Sequence, residues 1–105
     1  MNNKDRIILK YFAEKIRKVF PDAQIRAFGS RVQGNASEFS DLDVCVVVEK
    51  FDESIDKIIM NIAWETGFEY DIVISTVTFS KHDFEHGAVS SSQFVKSVIL
   101  SGVAA

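Results

Sequence analysis

Asp41 and Asp43 stand at the head of an apolar run, Leu42 and Val44-Cys45-Val46-Val47-Val48. Successive side chains on a strand point to opposite faces, so these two carboxylates leave the same face as neighbours. Carboxylates side by side repel unless something positive lies between them, and a divalent cation is the obvious candidate. Upstream, Gly29-Ser30 closes another apolar run, Ile25-Arg26-Ala27-Phe28. Glycine lets a backbone approach a ligand closely, the amides at the start of a following helix favour an anion, and Ser30 adds a hydroxyl. That is a phosphate cradle in outline. A third acid, Asp71, interrupts Tyr70-Asp71-Ile72-Val73-Ile74. Aspartate is disfavoured in strands, and an unpaired buried carboxylate is costly, so Asp43 and Asp71 each need a partner. If the two strands are neighbours, three carboxylates converge at one end of a sheet. Such oxygen ligands suit Mg²⁺, and two ions could clamp the attacking and leaving oxygens of an in-line displacement. The bland alternatives are an Asp pair capping a turn and a plain Gly-Ser turn.

Periodicity locates the elements that must position these groups. Ile8, Tyr11, Phe12, Ile16, Val19 and Phe20 predict a one-faced helix over 5–20, stopped by Pro21-Asp22. A short strand follows over 25–28, then a turn or two of helix over 30–36, with Ser30 as N-cap and Gly34-Asn35 as its break. A loop through Glu38 leads to Ser40 and a strand over 41–48. That strand is apolar on both faces beyond the Asp pair, so it should be central and covered on both sides. Asp52 reads as an N-cap for a helix with a buried stripe of Ile55, Ile58, Ile59, Ile62 and Ala63. Gly67 is its expected stop, and Trp64 extends the stripe or sits at its edge. A third strand over 70–74 precedes a polar segment, 75–87. A last amphipathic helix starts near Ser91, with Phe94, Val95, Val98 and Ile99 inward. The order predicts an α/β (α+β) sandwich, a small mixed sheet of three or more strands with helices packed on it, forming one domain over 1–105.

Composition narrows the function classes. With 105 residues, 47% apolar and 26% charged, the chain has the balance of a soluble globular domain. No apolar run approaches a membrane span, and Met1-Asn2-Asn3-Lys4-Asp5 lacks the apolar core of a secretory signal. The net charge of −3 argues against a broad nucleic-acid-binding face, while an anionic ligand held through metal ions stays compatible. Cys45 stands alone in a Val-rich strand, so it reads as core and points to a reducing cytoplasm. His82-Asp83-Phe84-Glu85-His86 reads as a solvated segment and Ser90-Ser91-Ser92 as a helix cap.

The spacing of Gly29-Ser30 and Asp41-Leu42-Asp43, with Arg31, Gly34 and Ser40 between, resembles the signature of the polymerase-β-type nucleotidyltransferases in their minimal form. The resemblance implies transfer of a nucleoside monophosphate, AMP from ATP, to an acceptor hydroxyl with release of pyrophosphate. It implies Asp41 and Asp43 as ligands of two Mg²⁺ ions. Asp71 would be the third family carboxylate, a metal ligand and a base for the acceptor's proton. Gly29, Ser30 and Ser40 would hold the nucleotide, with Arg31 helping charge that develops on pyrophosphate. Stand-alone relatives of this size resemble antitoxins that bind a HEPN-domain toxin and add AMP to a tyrosine of it. Larger relatives carry a second domain for the acceptor. None is expected here, so the acceptor would be recognised by a partner surface or a second copy, in a possible homodimer. The contrasting expectation is a non-catalytic antitoxin that neutralises by complex formation alone. The ending Ser101-Gly102-Val103-Ala104-Ala105 departs from the acidic residue, Gly and aromatic that often close the subfamily's last helix.

Overall fold

Five consecutive residues of one strand, Val44 to Val48, are buried, and the domain is layered around them. In the computed structural model, which describes residues 1–37 and 39–105, this strand is β2 (Leu42–Val48). Glu38, in the expected loop, lies outside the described residues. The elements run α1 (Asn3–Val19), β1 (Gln24–Phe28), α2 (Ser30–Gln33), β2, α3 (Glu53–Tyr70) and β3 (Ile74–Ser80). After them come α4 (Lys81–Glu85), a 3₁₀ turn (Ala88–Ser91), α5 (Gln93–Ser101) and β4 (Val103–Ala104). The sheet order is β3-β2-β1-β4, with β2 parallel to β3 and antiparallel to β1, and β1 antiparallel to β4. This is the expected mixed sheet, with a fourth strand built from the atypical C-terminal sequence.

The period of two along β2 splits the core. Leu42, Val44, Val46 and Val48 join Ile8, Phe12 and Ile16 of α1 and Ile59 and Ala63 of α3 in one cluster. Cys45 and Val47 point the other way, to Phe84, Val95 and Val98, with Phe28 and Phe79 packed alongside. Each fully buried Val, Leu, Ile or Phe contributes roughly 1.5–3 kcal/mol, so β2 is the energetic spine of the fold. The expected two-sided burial is what the structure has. Among the described residues, no helix is long and apolar enough to cross a membrane.

The helix starts follow the sequence signals. Asp52 Oδ1 accepts from the Ile55 amide at 2.8 Å, and Ser92 Oγ accepts from the Val95 amide at 3.2 Å. Several expectations are corrected. Gly67 does not stop α3, which runs to Tyr70. A side chain at 67 would collide with the Ile72 carbonyl as the chain turns back, so Gly67 serves packing against the exit from α3. Ile58 is partly exposed, and the buried stripe runs through Ile59, Ala63 and Thr66 instead. On α5, Val95 and Val98 are buried and Phe94 packs edge-on to Phe28 with ring centroids 5.1 Å apart, while Ile99 is about half exposed. The third strand starts at Ile74, its expected end, and occupies much of the expected polar segment.

Candidate active site

The β1–β2 pairing sets Phe28 opposite Asp43, so Gly29, the next residue, arrives beside that carboxylate. Gly29 has φ 80°, and a Cβ there would lie 2.6 Å from Asp43 Oδ2. Both backbone and space therefore demand glycine. The short α2 begins at this point: the Gly29 carbonyl accepts from the Val32 and Gln33 amides, both at 3.1 Å. Gly29, not Ser30, is the N-cap, and Ser30 is the first helical residue. A helix start leaves its first amides without intrahelical acceptors, next to where Asp43 stands. The break at Gly34, in the left-handed region at φ 82°, is as expected.

Asp41 is exposed just before β2, and Asp43 is half-buried within it. Burial, and second the negative charge of Asp41, raise the Asp43 carboxyl above the usual aspartate range. The two carboxylates thus feel one another. A cation between them would relieve both penalties at once.

Arg31 has a different position from the one expected. Its Nη1 donates to Asp5 Oδ1 at 3.0 Å and Oδ2 at 3.2 Å, and its Nε donates to the Ser40 carbonyl at 2.8 Å. The ion pair is nearly closed to solvent, with side chains 10% and 3% exposed. The guanidinium ties α1, α2 and the residue before Asp41 together, which leaves those donors directed at protein rather than at pyrophosphate. Ser40 likewise serves the loop: its Oγ accepts from the Ser37 amide at 3.2 Å and lies 3.4 Å from Ser37 Oγ. Asp5 was missed by sequence reasoning. Its signal was present, for Asp5 falls on the same helical stripe as Ile8, Leu9, Phe12, Ala13 and Ile16, where an acid is out of place.

The third carboxylate does not join the pair. Asp71 is the C-cap of α3, exposed and in the left-handed region (φ 55°, ψ 47°), three residues before β3 begins. Its amide donates to the Gly67 carbonyl and closes the helix. Aspartate is among the few residues that adopt this conformation readily. The parallel register places Ser75 opposite Asp43, while the Val73 carbonyl accepts from the Leu42 amide at 2.9 Å. Among the described residues, no group of three or more His, Cys, Asp or Glu side chains is arranged to hold a metal. Two carboxylates still fit Mg²⁺, which is commonly held by one or two carboxylates plus substrate phosphates. Behind the pair, burial pushes the Cys45 thiol up to about 11, partly offset by Arg26, so it is inert core.

Comparison with known proteins adds an independent finding. The family model of the nucleotidyltransferase domain matches residues 8–102. No curated protein matches in sequence. Three solved structures share the fold. One is a toxin–antitoxin with AMP-PNP, at TM-score 0.59 and 20% identity, covering 90% of this chain and 70% of that one. Another is a double Asp-to-Glu mutant of the toxin–antitoxin MntA–HpeT, at TM-score 0.58 and 19% identity, covering 98% and 72%. The third, described as a possible nucleotidyltransferase from Sulfolobus solfataricus, gives TM-score 0.53 and 16% identity, covering 96% and 81%.

Proposed function

The chain belongs to the nucleotidyltransferase domain family, and on that premise we propose that it moves AMP from ATP onto a protein hydroxyl, acting as the antitoxin of a HEPN-domain toxin in the cytoplasm. The observation that carries this reading is the Asp41–Asp43 pair over Gly29, at the start of α2. Supporting it, a structural neighbour is a toxin–antitoxin crystallised with an ATP analogue, and another is a toxin–antitoxin in which two aspartates were replaced.

Asp41 and Asp43 would hold Mg²⁺ at the start of β2, with triphosphate oxygens and water completing its shell. When bound, the ion neutralises charge on the triphosphate and stabilises the charge that develops on transfer. The chain's own part is positioning. Gly29, lacking a side chain, lets the Asp43 carboxylate sit against its backbone, where a Cβ would lie 2.6 Å from Asp43 Oδ2. The first amides of α2, which have no intrahelical acceptor, would donate to an anionic phosphate oxygen there, and the Ser30 hydroxyl would add a donor. Arg31 and Asp5 fix the Ser40-Asp41 backbone, and so the carboxylate pair, from behind. The acceptor oxygen forms its bond to the α-phosphorus as the bond from that phosphorus to the bridging oxygen breaks. The electron pair departs with pyrophosphate, and the proton of the acceptor hydroxyl passes to water.

The test is incubation with α-labelled ATP, Mg²⁺ and the protein encoded by the adjacent gene. Label should pass to a tyrosine of that partner with release of pyrophosphate, and the double variant Asp41→Asn with Asp43→Asn should abolish it. No label and no pyrophosphate would overturn the reading. Neutralisation that survives the double variant would show that complex formation alone suffices.

A further inference from the structure

Met60, Trp64 and Phe68 succeed one another a helical turn apart on α3, and all three face away from the core, 55%, 70% and 79% exposed. The Trp64 and Phe68 rings are stacked, with centroids 5.6 Å apart and planes 18° from parallel. At roughly 150–250 Å² per aromatic side chain, the stripe offers about 400 Å² of contiguous apolar surface. That is about half of the ~800 Å² each partner contributes to a standard stable interface. α3 covers the sheet face of Leu42, Val44 and Val46, opposite to the face of Asp43, so a partner seated here leaves the candidate active site open.

The charges at its ends decide what the stripe fits. Lys57 precedes Met60 by one turn, and Asp71 follows Phe68 by the same interval. The Lys57 ammonium lies 4.0 Å from Glu53 on its own helix, and both side chains are solvated. The stripe is therefore complementary to itself. About a two-fold axis at Trp64, a second copy running antiparallel sets Trp64 against Trp64 and Met60 against Phe68. It also brings Lys57 to Asp71, twice over, as an isologous interface requires. We propose that this face of α3 binds a second copy of the chain, forming a two-fold dimer whose active sites face outward. The aromatic pair drives association, because exposed ion pairs at a rim are worth only ~0–1 kcal/mol each. With half the usual apolar area, the dimer belongs to the weak, transient class of interfaces.

Sedimentation velocity over ~1–100 µM tests this, with circular dichroism as the check on folding. The wild-type chain should pass from monomer to dimer across that range. Trp64→Glu, folded, should remain monomeric throughout. Lys57→Glu, which sets a carboxylate against Asp71, should weaken the dimer several-fold. A wild-type chain still monomeric at ~100 µM overturns the proposal, as does a dimer that Trp64→Glu leaves intact. A monomer that uses Trp64 to bind a different protein overturns it too, by assigning the stripe to that partner.

Discussion

The two connections that reach the Asp41–Asp43 end of the sheet are held in opposite ways. The corner from β1 through α2 to β2 is locked from behind by a nearly buried ion pair between Arg31 and Asp5, and by the bond from Arg31 to the Ser40 carbonyl. The turn from α3 into β3 is exposed, and its one acid, Asp71, closes the helix through its backbone amide in the left-handed region. Asp41 and Asp43 lie two residues apart at the start of β2, so the extended backbone there sets their distance. An acid on a separate connection goes where that connection's cap geometry sends it. Catalytic weight should therefore rest on Asp41 and Asp43, with Asp71 apart.

The sharpest way to break that contrast is to neutralise each acid in turn. Removing cation-held transition-state stabilisation of several kcal/mol corresponds to a rate loss on the order of 10²–10³-fold or more. Asp41→Asn and Asp43→Asn should each lose at least that much transfer activity. Asp71→Asn, which also tolerates the left-handed region, should lose less than about tenfold. Equal losses in all three variants would return Asp71 to the cation site and collapse the distinction.

The lock behind the pair gives the next effect. Removing one partner of a buried ion pair leaves an uncompensated charge and costs about 3–5 kcal/mol. Asp5→Ala and Arg31→Ala should each show that loss in denaturant unfolding. Replacing both together, Asp5→Leu with Arg31→Met, should recover much of the stability, as apolar replacements of buried pairs often do. Recovery of stability without recovery of transfer is the expected signature, because the Ser40 carbonyl then still lacks its Arg31 donor. Gly29→Ala probes the same corner from the front. Leaving glycine at positive φ costs roughly 1–2 kcal/mol, and the new Cβ would press on Asp43 Oδ2, 2.6 Å away. Transfer should fall further than that stability loss explains. An alanine variant of full activity would show that the carboxylate can move freely.

What could be read in the sequence follows the same division. Local signals carried α1, β1, the caps Asp52 and Ser92, the two-sided burial of β2, and the placing of Asp41 next to Asp43. Each rests on neighbours a few residues apart. Features that depend on distant residues were illegible. Arg31 meets Asp5 across 26 positions, so the guanidinium read as available to a ligand. β3 carries Ser75, Thr76, Thr78 and Ser80, and it is a strand through its pairing with Leu42–Val48 of β2. Those polar residues looked like a loop. Gly67 looked like a helix stop because glycine usually is one, yet here its missing side chain admits the Ile72 carbonyl. β4 spans two residues, too few for any pattern, and exists through its pairing with Arg26 and Ala27.

The smallest effect distinguishes a site built for a cation from a site that merely has two acids. Burial and the Asp41 charge raise the Asp43 carboxyl in the folded state above its unfolded value. The folded protein therefore binds the proton more tightly, and this contribution to stability is fully present below the unfolded value, near pH 4. It is lost as pH rises through the higher folded value. At pH 7 and without metal, an ionised Asp43 destabilises the fold, so Asp43→Asn should melt higher than the wild type. The rise should be at most about 4 °C, since ~1 kcal/mol moves Tm by roughly 4–8 °C in a domain of this size. Below about pH 4 the wild-type carboxyl is neutral and the two proteins should melt together. Added Mg²⁺ should raise the wild-type Tm at pH 7 and leave the variant nearly unmoved, because only a ligand that binds the native state shifts stability. Thermal melts at pH 3.5, 5 and 7, with and without Mg²⁺, check this. A variant that melts lower than the wild type at pH 7 without metal would mean that Asp43 is already paired by the protein itself. The carboxylate pair would then have no need of a cation.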